Sequence, residues 1–175
     1  MVRTDGTSRK LPRLGKLGTV ELVKLLDHPN GWHRETAARL LQEQRDAAAV
    51  PHLQVLAREA EHAEARLLAL YALRDRQVLR ETHVQEALDD ASAAVRRHAV
   101  RLAEGLLEDA PRLQAKLLQL AKDPAREVRY QLAFTLGELE IPARLSSLQT
   151  VVSQDSSDPW IRMAALSSLQ RNGGQ

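Results

Sequence analysis

One arginine recurs down this chain at nearly constant spacing, with intervals of 32, 30, 33 and 33 residues. The five copies are Arg34, Arg66, Arg96, Arg129 and Arg162. The residues three, four and seven places after each arginine are apolar in every copy, although only 43% of the chain is hydrophobic. Because these offsets lie on one face of an α-helix, the pattern predicts a repeated amphipathic helix. Repetition of a unit of about 30–45 residues is typical of a solenoid, so we predict an all-α, α-α superhelix.

A shorter amphipathic stretch precedes each arginine-bearing helix, which predicts about five antiparallel helix pairs. Asp123-Pro124 and Asp158-Pro159 are favourable helix starts, since aspartate caps free amides and proline takes the first helical position. The predicted repeats are 19–45, 47–75, 79–106, 110–138 and 141–170, within a single solenoid domain over 19–171. Residues 1–18 contain Gly, Pro, Ser and five Arg or Lys without helical periodicity. We predict that they form a poorly ordered linker.

The amino-acid composition limits the classes of function that are possible for this chain. The chain has 25 Lys and Arg against 23 Asp and Glu, so its net charge of +2 gives little support for nucleic-acid binding. The absence of cysteine excludes disulfides and thiol chemistry. No apolar run approaches the ~18 residues of a membrane span. The N-terminal residues lack the hydrophobic segment of a secretory signal, and the compartment therefore stays open.

The recurring arginine lies in the middle of the apolar arc of its helix, where a guanidinium is costly unless it is paired. Acidic residues stand six or seven places before the arginines, in the turns between helices. We therefore predict a structural arginine ladder, in which each arginine contacts the acid or the main-chain carbonyls of its own or an adjacent repeat. The predicted acidic partners are Asp27, Asp90, Asp123 and Asp155, with Glu59 as a further candidate.

An aspartate in the turn followed by Val-Arg or Ile-Arg at the start of the second helix resembles the HEAT repeat. The match is Asp90…Val95-Arg96, Asp123-Pro124…Val128-Arg129 and Asp158-Pro159…Ile161-Arg162. It is similar to the short bacterial HEAT-like form also found in phycobilisome lyase subunits, and it covers about residues 19–170. The second repeat departs from the pattern, with Ala65 before Arg66 and no aspartate six residues upstream. The resemblance implies a scaffold that binds or spaces proteins; a chromophore-lyase-like subunit is an alternative that rests on the repeats alone.

The first unit, from Thr19 to Ala37, also looks like the start of the helical region in large planctomycete-type membrane-bound dehydrogenase proteins. In that family a β-propeller precedes the helical array and a c-type cytochrome domain often follows it. This resemblance implies that the chain is a fragment of a larger bacterial multidomain protein, whose export to the periplasm is one option. The sequence has no Cys-x-x-Cys-His haem site, so any redox chemistry would lie outside these residues.

The sequence shows no constellation of catalytic residues. Its histidines form no i, i+4 pair and no His-Glu-x-x-His motif, so we predict no metal site. It has no Gly-rich phosphate loop and no Gly-x-Ser-x-Gly elbow. We therefore expect a non-enzymatic chain without a cofactor. The histidines are His28, His33, His52, His62, His83 and His98.

The residues one and five places after each arginine lie about 40° apart on the helix and form a second stripe. Two interpretations stay open: packing between successive second helices, or a shallow surface on which tyrosine and arginine anchor a protein partner. A nucleic-acid-binding protein similar to the HEAT-like alkylpurine DNA glycosylases is the alternative function, but Glu35 and Glu104 interrupt any basic stripe. Trp32 and Trp160 are expected to fix a helix start to the preceding turn. The stripe candidates are Tyr71, Arg97, Arg101, Tyr130, Phe134 and Met163.

Overall fold

The computed structural model describes residues 14–170, and this part of the chain contains ten α-helices and no strand. The helices form five successive hairpins of a first and a second helix, which confirms the predicted all-α solenoid. Their bounds are α1 Thr19–Leu25, α2 Gly31–Gln44, α3 Ala49–Glu59, α4 Ala63–Asp75, α5 Glu81–Ala87, α6 Ala93–Ala103, α7 Pro111–Gln119, α8 Arg126–Thr135, α9 Ala143–Gln154 and α10 Pro159–Gln170.

Local sequence explains where several of these helices begin. The side chain of Asn30 accepts a hydrogen bond from the Trp32 amide at 3.0 Å and caps α2. The side chain of Asp158 accepts one from the Trp160 amide at 2.8 Å at the start of α10. Pro111 occupies the first turn of α7, where its missing N–H leaves no hydrogen bond unmade. Short 3-10 turns extend α6, α7 and α8, at Glu104–Leu106, Leu120–Lys122 and Leu136–Glu138.

The hairpins stack so that first helices pack on first helices and second helices on second helices. A continuous core of leucine, alanine and valine runs between the two layers. The apolar positions after Arg66, Arg96 and Arg129 are all buried, as their helical spacing predicts. In the last hairpin, Leu166 and Leu169 occupy the same positions but are exposed. Within residues 14–170, no helix combines the length and apolar character that crossing a bilayer requires.

The N-terminal segment differs from the predicted linker in its last residues. Leu14–Lys16 form a 3-10 turn that lies against α2, and Leu14 is only 5% exposed. Leu17 packs against the core as well. The apolar side chains at positions 14 and 17 explain the difference, because they can cover the edge of the first hairpin. Residues 1–13 of the predicted linker and residue 171 of the predicted domain lie outside the described residues.

Candidate protein-binding surface and arginine contacts

Each repeat arginine is bound to the turn that precedes its own helix. In all five copies Nη1 donates a hydrogen bond to the carbonyl oxygen six residues earlier, at distances from 2.6 to 2.9 Å. These bonds fix the start of the second helix to the preceding turn and give a carbonyl group of that turn a charged donor. The accepting residues are His28, Ala60, Asp90, Asp123 and Ser156.

Three of the arginines also contact an aspartate of the next hairpin. Nε and Nη2 of Arg66 lie 2.6 and 2.8 Å from the carboxylate oxygens of Asp90. Arg96 binds Asp123 in the same way at 2.7 and 2.9 Å. Arg129 binds Asp155 with both distances at 2.7 Å. The two parallel bonds match the planar guanidinium to the carboxylate, a geometry that lysine cannot reproduce.

The environment of these aspartates sets their ionisation. Burial acts to raise the pKa of Asp123, but hydrogen bonds from Arg96 and from the Ala125 amide outweigh it, so this pKa lies below its usual range. The pKa of Asp90 is lowered in the same way, with burial opposed by Arg66 and the Ser92 amide. Both carboxylates are therefore charged at neutral pH.

The contact between the first and second hairpins is different, because Ala60 occupies the position that is an aspartate in the third and fourth turns. Arg34 donates to the carbonyl oxygens of His28 and Pro29 in its own turn, both at 2.9 Å. The structure places Asp27, predicted as a partner of an arginine, against the start of α4 instead. Its carboxylate accepts hydrogen bonds from the amides of Glu61 and His62 at 3.1 Å, and it lies 2.8 Å from Nδ1 of the His62 ring.

Asp27 therefore holds the turn before α4 across the hairpin interface, whereas Asp90 and Asp123 accept amide hydrogen bonds within their own turns. Glu59 is exposed and its nearest ion pair is with Arg58, at 3.5 Å.

The other end of the array also departs from the pattern. Arg162 is exposed, and among residues 14–170 the hydrogen bond of its guanidinium is the one to the carbonyl oxygen of Ser156.

The six stripe candidates come from four successive second helices and form one surface of that layer. We call it the partner face, and it consists of Tyr71 of α4, Arg97 and Arg101 of α6, Tyr130 and Phe134 of α8, and Met163 of α10. Met163 is 62% exposed, and Phe134, Arg97 and Arg101 are also exposed. The two tyrosines are half-buried and pack against the core. The surface thus combines fixed aromatic rings with accessible apolar and cationic groups.

Ring contacts hold the aromatic side chains of the partner face in place. The rings of Tyr130 and Phe134 are perpendicular, with centroids 5.2 Å apart, and the guanidinium of Arg74 lies 4.6 Å from the Tyr71 ring centroid. The hydroxyl of Tyr71 lies 2.7 Å from Nδ1 of His98. These contacts occupy part of each tyrosine ring and reduce its freedom to move.

The protonation of His98 follows from its neighbours. Burial lowers the pKa of His98, and the positive charges of Arg97 and Arg101 lower it further. Nη2 of Arg97 lies 3.2 Å from Nε2 of His98 and can only donate. Nε2 is therefore the acceptor of the neutral imidazole, and Nδ1 donates its proton to the Tyr71 hydroxyl. A hydrogen-bonded chain thus runs from α6 to α4 across the partner face.

A cleft of about 370 Å³ adjoins the partner face at the starts of α8 and α10. Tyr130 and Trp160 line it, together with Arg126 and Asp158, whose side chains form an ion pair at 3.3 Å. Trp160 is 69% exposed. Helical spacing did not reveal this cleft, because its residues lie at helix starts and meet only through the stacking of two hairpins. Within residues 14–170, no group of three or more His, Cys, Asp or Glu side chains could hold a metal ion.

Comparison with known proteins agrees with this architecture. The family model for HEAT repeats matches residues 81–170, which is slightly more than half of the chain. No curated protein matches the chain. HEAT repeats generally serve as scaffolds for protein interaction. The matched residues contain two of the three arginine–aspartate contacts, and the same hairpin is repeated on their N-terminal side. This chain belongs to the HEAT-repeat family.

Proposed function

We propose that this chain is a non-enzymatic scaffold that binds a protein partner on the partner face. The observation that carries the proposal is the exposure of Met163 and Phe134 beside Arg97 and Arg101 on successive helices. Tyrosine and arginine are the usual energetic anchors of protein interfaces, and preorganised aromatic rings lose little entropy on binding. The hydrogen bond and ring contacts of Tyr71 and Tyr130 supply that preorganisation.

The charges of the partner face indicate the chemistry of the partner. Within residues 14–170, no carboxylate forms an ion pair with Arg97 or Arg101. Glu104, which lies near them in sequence, accepts a hydrogen bond from the Thr135 hydroxyl at 2.6 Å. An acidic segment would therefore complement the two arginines. An apolar side chain of the same segment would fit the cleft between Tyr130 and Trp160.

A displayed library of random peptides tests this proposal on the full chain. We expect the selected peptides to combine acidic residues with a large apolar residue. Binding should fall at least about tenfold in the Arg97→Glu/Arg101→Glu variant, because like charges then face each other. Arg112→Glu, an exposed charge reversal on the first-helix layer, is the matched control and should leave binding unchanged. Selected peptides that bind the two variants equally would refute the partner face as the binding surface.

Nucleic-acid binding is the alternative that the same arginines suggest. The charge balance of the chain disfavours it, since 25 Lys and Arg are matched by 23 Asp and Glu and phosphate binding depends on an excess of basic side chains. A titration with duplex DNA at low salt separates the two functions. Binding that weakens steeply as salt rises, and that Arg97→Glu/Arg101→Glu abolishes, would favour nucleic acid over protein.

A separate proposal concerns the larger protein to which the solenoid belongs. We propose that the solenoid extends as a single domain from residue 19 to residue 171 and is part of a larger dehydrogenase- and cytochrome-like bacterial protein. The support is the resemblance of Thr19–Ala37 to the helical region of such proteins. The neighbouring coding sequence tests it: propeller strands upstream or a haem-attachment motif downstream would support the proposal, and unrelated flanking genes with intact start and stop signals would refute it.

A further inference from the structure

Two apolar side chains at the C-terminal end of the described structure face solvent, although their counterparts in the inner hairpins are buried. Leu166 and Leu169 of α10 are 54% and 45% exposed. They stand four and seven residues after Arg162. The counterparts after Arg129 are Ala133 and Leu136, which are fully buried because α8 packs against α10. The surface formed by Arg162, Leu166 and Leu169, which we call the end face, therefore has the composition of an interface between hairpins.

The hydrogen bonding of Arg162 supports the same conclusion. Its Nη1 binds the carbonyl oxygen of Ser156 at 2.6 Å, as the other repeat arginines bind their own turns. In the three inner contacts, Nε and Nη2 of the arginine bind an aspartate of the next hairpin. Nε and Nη2 of Arg162 have no carboxylate partner among residues 14–170. A cationic donor pair thus lies beside two exposed leucines.

We propose that the end face binds a helical hairpin of a partner protein, whose turn carries an aspartate for Arg162 and whose helices cover Leu166 and Leu169. Two observations identify this occupant. The end face has the same kinds of residue as the buried faces between the inner hairpins, and the Nε and Nη2 donors of Arg162 would bind an aspartate carboxylate. The end face does not include the partner face, so this inference is independent of the function proposed above.

A second copy of the chain fits the end face less well. In a head-to-tail arrangement it would present its N-terminal end, where Leu14 is buried and Leu14–Lys16 already lie against α2. The turn aspartate at that end is Asp27, which is bound to the amides of Glu61 and His62. A tail-to-tail arrangement would bring two Arg162 side chains together. Neither arrangement supplies both an apolar face and an available aspartate.

An added hairpin tests the proposal in the full chain. A second copy of residues 139–170, attached after Arg171, would follow the fifth hairpin as the fifth follows the fourth. We expect the amides of α10 to exchange with solvent about tenfold more slowly and the unfolding midpoint to rise, because the end face becomes covered. Asp155→Ala in the added copy alone should remove most of both gains. The charge swap of Arg162→Asp with Asp155→Arg in the added copy should restore part of them.

The exchange of α4 and α6 amides serves as the internal reference for intact folding of every variant. Unchanged exchange of α10 after the hairpin is added would overturn the proposal, as would an equal gain with Asp155→Ala in the added copy. Sedimentation of the unmodified chain should show a monomer. A dimer that Leu166→Asp dissociates would identify a second copy as the occupant and would also overturn the proposal.

Discussion

Arg96 and Asp123 join two neighbouring hairpins through two parallel hydrogen bonds, Nε to Oδ2 at 2.7 Å and Nη2 to Oδ1 at 2.9 Å. Asp123 is buried and also accepts a bond from the Ala125 amide at 2.8 Å, so one carboxylate serves the contact between hairpins and the start of α8. Because Arg96 also donates to the carbonyl oxygen of Asp90, its guanidinium connects the turn before α6 with the turn before α8.

Asp123→Ala should lower the free energy of unfolding by about 3 kcal/mol, since it leaves the Arg96 guanidinium partly buried without its counter-charge. Urea denaturation measures the loss. Arg39→Ala is the matched control, because Arg39 and Glu43 form an exposed ion pair within α2 and its removal should cost less than about 0.5 kcal/mol. Equal losses in the two variants would show that the contact between hairpins is not structural.

Asp27→Ala should destabilise the chain by about 1–2 kcal/mol, because the amides of Glu61 and His62 in the turn before α4 lose their hydrogen bonds to the carboxylate. Amide exchange near the start of α4 should accelerate more than exchange in α8. Asp75→Ala, which removes an exposed partner of Arg74, provides the comparison and should leave α4 unchanged. A uniform acceleration across all helices would contradict a local role of Asp27 at the start of α4.

Stability should decrease in acid. The pKa values of Asp90 and Asp123 are lower in the folded chain than in the unfolded chain. The stabilisation that these two carboxylates provide is therefore complete above about pH 4, the pKa of an aspartate in the unfolded chain. It is lost as the pH falls through the lower pKa values of the folded chain. Denaturation at several pH values between 7 and 3 should show this loss, and Asp123→Asn should make the dependence shallower. An unchanged slope in Asp123→Asn would disprove the assignment.

Gly137→Ala should destabilise the fourth and fifth hairpins by about 1–3 kcal/mol, through overpacking. An added Cβ would lie 2.8 Å from Oγ and 3.0 Å from Cα of Ser168, which is buried and hydrogen-bonded to the Ala133 carbonyl at 2.5 Å. Gly105→Ala is the control, because nothing lies within 4 Å of its added Cβ. We expect the unfolding temperature to fall in Gly137→Ala and to stay unchanged in Gly105→Ala. An unchanged unfolding temperature in Gly137→Ala would show that α10 can shift without cost.

Leu136→Ala should cost about 2–5 kcal/mol, because Leu136 is fully buried and its truncation leaves a cavity where the 3-10 turn after α8 meets α10. Leu169→Ala, at the equivalent position of the last hairpin, should cost less than about 0.5 kcal/mol because Leu169 is exposed. Chemical denaturation of both variants checks this difference. A loss below half a kcal/mol for Leu136→Ala would contradict its position in the core.

The sequence predicts the repeated hairpin well because its signal is local. Positions three, four and seven residues after Arg66, Arg96 and Arg129 must share a helix face, and the structure buries all of them. The 3-10 turns after α6, α7 and α8 could not be predicted, since the spacing of apolar residues does not distinguish a tightened last turn from a continuing α-helix.

Contacts between hairpins are harder to predict from one sequence. The spacing of Asp27 from Arg34 resembles that of Asp155 from Arg162, yet Asp27 binds α4 because Ala60 offers that turn no carboxylate of its own. Likewise, the helical wheel treats Leu166 and Ala133 as equivalent. Their burial differs because one of them has a neighbouring hairpin to cover it and the other has none within the described residues.

The first hairpin is joined to the rest without the paired guanidinium and carboxylate that join the later ones, since among residues 14–170 the Arg34 side chain bonds to its own turn alone. Nearest-neighbour coupling governs how such arrays lose structure. Strain applied along the stack should therefore open the boundary between the first and second hairpins first, where Asp27 is bound to Glu61 and His62 but no arginine is paired with an aspartate. Unfolding under such strain should begin at the amino-terminal hairpin, while α3 to α10 remain together.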